Sequence, residues 1–217
     1  MFGDRLPLAQ GYAALLADTG ITHGLIGPRE APRLWDRHLL NCAVVEPLFD
    51  ESATVVDIGS GAGLPGLVLA IVRPDLALTL VEPLQRRTVW LETTVAELGL
   101  TNVRVHRGRA ESLWGRERFR HATARAVART AQLARWTLPL LAGGGSLHAL
   151  KGSSAEQELA DDGEAVRALG VVHTQISRLG AGIVDPETVV VSLTVGTPPP
   201  PVPSSASSPS SRRRRRP

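Results

Sequence analysis

Residues 54–66 read TVVDIGSGAGLPG, a short apolar run, an acid, and four glycines within eight residues. The pattern is that of a strand running into a glycine loop that opens a helix, the place where α/β folds hold nucleotides. Gly61, Gly63 and Gly66 satisfy G-x-G-x-x-G, so a pyrophosphate-binding dinucleotide site is one reading. Asp57 argues against it. A carboxylate at the strand end would face an anionic pyrophosphate with like charge and gain nothing from the helix N-terminus behind it. The same carboxylate suits an ammonium group. S-adenosyl-L-methionine carries one on its amino-acid end and has no phosphate, so D-x-G-x-G-x-G, with Asp57, Gly59, Gly61 and Gly63, fits that cofactor better. The glycines then let the backbone approach the ligand and turn tightly, and Pro65 sits where a first helical turn accepts proline. A glycine turn with no ligand is the remaining alternative.

Around this loop, strands and helices alternate. Strands are expected over 53–57, 77–82, 103–106, 121–126 and 146–151, with helices over 64–72, 85–98, 130–141 and 155–169 between and after them. Residues 171–176 and 188–195 read as an antiparallel pair that closes the sheet. The order predicts an α/β fold with a doubly wound, Rossmann-like sheet, mostly parallel with an antiparallel C-terminal strand. Residues 1–52 read as an N-terminal helical cap, with apolar positions at helical spacing over 6–17 and 31–49. The sheet domain is expected over 53–196. From 197 to 217 the chain is a Pro/Ser/Arg tail that cannot bury a core and is expected to be disordered.

Composition narrows the function classes. The 217 residues supply apolar side chains for a full core. Nothing approaches a membrane span and the N-terminus has no signal-peptide pattern, so a cytoplasmic protein is expected. The single cysteine, Cys42, offers neither a disulfide framework nor a metal pair, and no metal is expected. The formal charge of +3 depends on five consecutive arginines, Arg212–Arg216; without them 19 basic residues face 21 acidic ones. Arginine outnumbers lysine 23 to 1, a bias that GC-rich coding explains, so arginine abundance alone says little about RNA. The one lysine is Lys151.

Several residues fall where a cofactor needs them. Glu82 ends the second strand, 21 residues beyond Gly61, which suits an acid accepting from both ribose hydroxyls of either nucleotide cofactor, with an exposed strand-end glutamate as the lesser alternative. Ala110 and Glu111 follow the third strand, where adenine contacts are made in such folds; taken alone that signal is weak. Arg125 lies at the C-terminal end of the fourth strand, the ligand-binding edge of doubly wound sheets, and a buried guanidinium there needs a partner. Lys151 ends the fifth strand near the same rim, as an RNA-phosphate contact or a plain strand-edge lysine. Arg37 and Asn41 share a helix face and His38 lies on the neighbouring one; the alternative is a solvated polar face.

DIGSGAGLPG at 57–66, IVRPDLALTLVE at 71–82, RGRAES at 107–112, TARAVA at 123–128, HALKG at 148–152 and RLWDRHLLNC at 33–42 are a specific combination. With it the chain resembles the bacterial 16S ribosomal RNA guanine-N7 methyltransferases, the glucose-inhibited division protein B family, over roughly residues 6–195. The resemblance implies cofactor contacts at Gly59, Leu64, Glu82, Pro83, Leu84, Ala110, Glu111 and Arg125, and a substrate-side role for Arg37, His38 and Lys151, with Arg125 placed between the two. It implies 16S rRNA as partner, within the small ribosomal subunit or an assembly intermediate, and no membrane. Two departures stand out: many relatives carry an acid where this chain has Asn41, and the helical region before Leu6 looks shorter.

The chemistry agrees by absence. The place after strand four reads RAVART, without the [NDS]-P-P-[YF] segment that amine methylation uses, and Cys42 sits in an apolar helix rather than where a C5 nucleophile belongs. Guanine N7 needs neither device and has no proton to remove, so alignment carries the reaction and no general base is expected. Other unprotonated acceptors, on a small molecule or protein, stay open, as more distantly does a nicotinamide-dependent oxidoreductase. The arginine tail is expected to contact RNA phosphates in a salt-dependent way, with a solubility tail as the alternative. A monomer is expected.

Overall fold

A computed structural model describes residues 1–200. Its centre is a seven-stranded sheet in the order β3-β2-β1-β4-β5-β7-β6. The strands are β1 Thr54–Ile58, β2 Ala77–Glu82, β3 Val103–Arg107, β4 Phe119–Arg125, β5 Leu141–Lys151, β6 Val171–Leu179 and β7 Thr188–Val195. Every neighbouring pair from β3 across to β5 is parallel, whereas β7 is antiparallel to both β5 and β6. β7 alone therefore opposes the other six, as the sequence leads one to expect. The order reverses between β1 and β4, so their carboxyl ends form the switch point at which such sheets bind ligands.

The helices are α1 Leu6–Leu15, α2 Leu40–Ala43, α3 Gly66–Val72, α4 Gln85–Glu97, α5 Thr130–Thr137 and α6 Ala155–Ala168. α3 is GLVLAIV, and six of its seven residues are buried. A helix apolar all round must be covered on both sides. The sheet covers one side and the N-terminal segment the other, with Ala9, Tyr12 and Leu16 in the same apolar cluster as Leu67, Leu69 and Ile71. α5 and α6 pack on the opposite face of the sheet, where Leu133, Ala134 and Val166 join Val56, Ala122 and Leu147. Among the described residues no helix is long and apolar enough to cross a membrane. Most of the expected tail, residues 201–217, lies outside the described residues.

Two expectations need correction. Residues 31–49 do not form one helix. A helical run over 34–43, made of a wide π-type turn Trp35–Leu39 and the short α2, is flanked by 3-10 segments Pro28–Arg33 and Glu46–Leu48. Pro32 and Pro47 lie in those two flanking segments, where each removes an amide donor that a longer helix needs. The helix from 130 likewise stops at Thr137, ahead of Pro139, and β5 starts at Leu141 rather than Ser146.

His121 of β4 and His148 of β5 are buried together on the cap-side face. His148 Nε2 lies 3.2 Å from His121 Nδ1, and His148 Nδ1 lies 2.9 Å from the Ser192 hydroxyl. Phe49 packs edge-on against both rings, with centroids 5.5 and 5.2 Å away. Burial lowers the pKa of both and takes His148 down to about 3. Neutral imidazoles in the fold against histidines that protonate near pH ~6.5 when unfolded give stability that is complete above that pH. It is lost as pH falls toward about 3. Urea unfolding measured from about pH 7.5 down to about pH 4.5 should therefore show the free energy of the wild type falling relative to that of His148→Gln; a pH-independent difference would remove His148 as the cause.

Candidate active site

β1 delivers Asp57 to the switch point. Because the pleat alternates faces, Val55 and Asp57 point toward α3 and the N-terminal segment, while Val56 and Ile58 point toward α5 and α6. Asp57 is completely buried. Its Oδ2 accepts the Gly66 N–H at 3.2 Å, and Oδ1 has no partner among the described residues. Burial pushes the carboxyl up to about 7, offset only in part by the Gly66 N–H and the positive charge of Arg125.

The loop is tight for reasons internal to the protein. A Cβ on Gly66 would lie 2.3 Å from Leu80 and 2.7 Å from Asp57 Oδ2, and one on Gly63 would lie 2.4 Å from Leu67. Those two glycines let α3 start hard against β1 and β2. The loop is open at Gly61, where the nearest atom to an added Cβ is 3.7 Å away. The Gly61 N–H donates to Glu82 Oε2 at 3.1 Å, and the Leu84 N–H to Oε1 at 2.9 Å. Glu82 is thus no exposed strand-end residue: it is 2% exposed and held from both sides by backbone. Arg87 stands 3.6 Å from Oε2. Beyond Pro83, Leu84 is an exposed leucine, and the next loop brings a buried Ala110 and a half-buried Glu111 at the start of a 3-10 turn. The Gly108 N–H donates to the Glu82 carbonyl and joins the two loops.

This donor set fits S-adenosyl-L-methionine. The unpaired buried oxygen of Asp57 could take a cation, Glu82 is held with acceptor capacity left for hydroxyls, and the exposed Leu84 offers an apolar surface. The Asp57 carboxylate beside the glycine loop repels a pyrophosphate, which counts against the dinucleotide reading, whereas Glu82 suits the ribose of either cofactor. Among the described residues no group of three His, Cys, Asp or Glu side chains is placed to hold a metal.

A cleft of about 950 Å³ opens next to the loop, over the carboxyl ends of β4 and β5 and the start of β7. Arg37, His38, Arg125 and Lys151 all line it, and the first three touch one another. Arg125 donates to the Arg37 carbonyl at 3.3 Å, to His38 Nδ1, and to the Cys42 sulfur at 3.6 Å. His38 Nε2 lies 3.0 Å from Glu30 Oε2, and Arg37 Nη1 3.3 Å from Glu30 Oε1. Cys42 is a buried packing residue whose thiol burial raises to about 11.

Lys151 is set apart. It projects on the α6 side of the sheet, where its ammonium donates to Glu158 at 2.6 Å and to the Ala128 carbonyl at 2.8 Å. Glu158 Oε1 also accepts the Thr130 N–H and hydroxyl, so the lysine ties β5 to α5 and α6. Asn41 donates from Nδ2 to the Asp36 carbonyl and accepts from the Thr188 hydroxyl at 2.6 Å. An aspartate would keep the second bond and lose the first.

The model of the GidB family, described as rRNA small subunit methyltransferase G, matches residues 5–187. The chain belongs to this family. The ribosomal RNA small subunit methyltransferase G of Thermobifida fusca is 57% identical over 197 residues, 91% of this chain and 83% of that protein. The one from Renibacterium salmoninarum is 52% identical over 198 residues, 91% of this chain and 92% of its own length. Among solved structures, an S-adenosylmethionine-dependent O-methyltransferase from Thermotoga maritima aligns with a TM-score of 0.55 at 15% identity, covering 72% of this chain and 64% of that one. An S-adenosylmethionine-dependent methyltransferase from Aquifex aeolicus aligns at 0.56 and 16% identity, covering 78% and 99%. These two establish likeness of fold.

In this methyltransferase G family member, three residues near the site escape the sequence reading. Tyr12 of α1, wholly buried, donates its hydroxyl to the Ala62 carbonyl at 2.6 Å and pins the glycine loop from the N-terminal side. Glu30 and Arg87 are the other two. Tyr12 had a signal, since a tyrosine on an apolar helix face must place its hydroxyl somewhere.

Asp57→Asn keeps an acceptor for Gly66 and removes the charge. Calorimetry should show S-adenosyl-L-methionine affinity down at least about tenfold, while the melting temperature of the free protein does not fall. Because an ammonium is bound by the ionised carboxylate, wild-type affinity should rise up to about tenfold per pH unit below about pH 7 and level off above it, and Asp57→Asn should abolish that slope. Tyr12→Phe leaves the Ala62 carbonyl unpaired; a stability loss of about 1–2 kcal/mol in urea melts and weaker cofactor binding are expected.

Proposed function

We propose that the chain methylates N7 of a guanine in 16S ribosomal RNA, using S-adenosyl-L-methionine. What supports this is the placing of two features on neighbouring strands: the orphaned carboxylate of Asp57 at the carboxyl end of β1, and the arginine-lined cleft that starts at Arg125 on the adjacent β4. The cofactor supplies a methyl group on a sulfonium. Asp57 would hold its ammonium, Glu82 its ribose, and Leu84 with Ala110 its adenine, so that Gly59, Gly61, Gly63 and Leu64 line its path.

The protein's own contribution is alignment. Guanine N7 presents its lone pair in the ring plane and carries no proton, so the groups around the cleft have to orient and hold rather than remove a proton. His38 is suited to that task, because burial and the charge of Arg125 depress its pKa and keep it neutral. Arg37 and Arg125 provide fixed donors for an oxygen or phosphate of the acceptor nucleotide. Lys151 acts from below, holding the β5 edge of the cleft through Glu158.

The rim of the cleft is mixed in charge, with Arg33, Arg129 and Arg178 interspersed with Asp36, Asp185 and Glu187. Such a surface draws RNA only moderately, which favours a structured ribosomal particle presenting an unstacked guanine over free RNA. A small ribosomal subunit or an assembly intermediate, met in the cytoplasm, is that particle. Cap, loop and cleft all come from one polypeptide, and the working unit in this reading is a monomer.

Undermethylated small subunits and deproteinised 16S rRNA, each incubated with labelled cofactor, give the test. Label is expected in 7-methylguanine, more with the particle. No label in either RNA rejects the assignment, and label in any other nucleoside rejects N7.

A further inference from the structure

Arg125 is the hinge between the two half-sites, yet no carboxylate is bonded to it among the described residues. Its partners are the Arg37 carbonyl, the Cys42 sulfur and His38 Nδ1. A guanidinium has donors only, so the imidazole nitrogen facing it is unprotonated, and the proton of neutral His38 is on Nε2. That N–H points at Glu30 Oε2, 3.0 Å away. The three side chains therefore form a directed chain: Arg125 donates to His38, and His38 donates to Glu30. Glu30 comes from the Pro28–Arg33 turn, His38 from the wide turn Trp35–Leu39, and Arg125 from β4, so the chain also spans the junction of cap and sheet.

We propose that Glu30 is a positioning residue of the methyl-transfer site, which through His38 fixes the Arg125 guanidinium at the mouth of the cleft. This rests on the reading of Arg125 as a group that meets the acceptor. Glu30 lines the wall of the cleft, with its carboxylate engaged by His38 and Arg37. It holds the ring plane of His38 and leaves Nδ1 as the acceptor, which a free ring would present only part of the time. With the second pair of contacts, Glu30 also holds Arg37.

The arrangement works in one protonation state. A proton on Nδ1 turns the acceptor into a donor facing the donors of Arg125, and the imidazolium pairs with Glu30 while Arg125 is released. The charged and titratable groups around His38 are Glu30 on the preceding turn with Arg33 beside it, Arg37 on its own turn, Cys42 on α2 and Arg125 on β4, with Asp57 and Tyr12 behind Arg125. Burial, Arg125 and Arg37 favour the neutral ring, and Glu30 alone among the contacting groups favours the charged one.

Two variants test this. Glu30→Gln retains an oxygen for the His38 N–H and removes the charge; Glu30→Ala removes both. In the free protein, the NMR titration midpoint of His38 should be lower in Glu30→Gln than in wild type. With ribosomal substrate, Glu30→Ala should lose about tenfold in kcat/KM, well beyond any loss of S-adenosylhomocysteine affinity. Glu30→Gln should recover most of that loss near about pH 7.5 and carry the acid limb of the rate profile to lower pH. An unmoved His38 midpoint in Glu30→Gln overturns the proposal, as does wild-type kcat/KM in Glu30→Ala. If the wild-type chain methylates no ribosomal RNA, the proposed function fails, and the His38 midpoint still decides the role of Glu30.

Discussion

A carboxylate buried on an apolar sheet face, with one oxygen bonded and the other not, is the constraint around which this fold is arranged. Asp57 occupies a position that hydrophobic packing alone would fill with valine, on the same face as Val55 and under a helix that is apolar on every side. Its pKa of about 7 against an ordinary value near 3.8 corresponds to about 4 kcal/mol of folding stability forgone at neutral pH. That is a large share of the roughly 5–15 kcal/mol a domain has. A group so costly to fold around persists where a ligand repays it, and in the proposed reading a cation on the unpaired oxygen would do so. The N-terminal helices are part of this account. By covering α3 they exclude water from Asp57, and by Tyr12 they fix the loop leading to Gly66, whose N–H the carboxylate accepts.

The pleat of the sheet then decides which candidates work together. Asp57 and Arg125 project on the face that meets the cap, where Arg37 and His38 are within reach. Lys151 pairs one register step beyond Arg125 and projects to the other side, where Glu158 and Thr130 wait. A single residue of offset thus separates a group on the cap side of the cleft from one that braces its floor. The lone lysine suits that brace. Its compact ammonium donates to a carbonyl and a carboxylate at once from a narrow space between β5 and α6.

How much of this is legible in the sequence follows from the range of each interaction. The strands were legible because each is a short apolar run bounded by turn residues, and Asp57, the glycine loop and Glu82 were legible because their relation is local to one β-α-β unit. The helix assigned to 31–49 failed where apolar spacing was given more weight than Pro32 and Pro47. At Arg125 the position was readable from the strand end but its partners were not, since His38 and Arg37 lie 87 and 88 residues away in the chain. Glu30 and Tyr12 were hidden for the same reason. An acid in a Pro-rich turn and a tyrosine on an apolar helix become informative only when the tertiary fold shows what they face.

The same geometry explains how a mixed-charge cleft can still present a cation. Arg129, Lys151 and Arg178 each stand beside a carboxylate, Asp162, Glu158 and Glu156 respectively, and are largely neutralised where they sit. Arg125 is held by a carbonyl, a thiol and a neutral imidazole, which orient it without cancelling its charge. Its field extends inward as well as into the cleft, for it lowers the pKa of Asp57 and of Cys42. The two proposed halves of the site are therefore coupled electrostatically across adjacent strands: whatever keeps Arg125 in place also favours the ionised form of Asp57. A carboxylate bonded directly to Arg125 would have anchored it as firmly, but it would have screened that field. Placing the acid two contacts away, on Glu30, anchors the guanidinium and leaves its charge to act on both halves of the site.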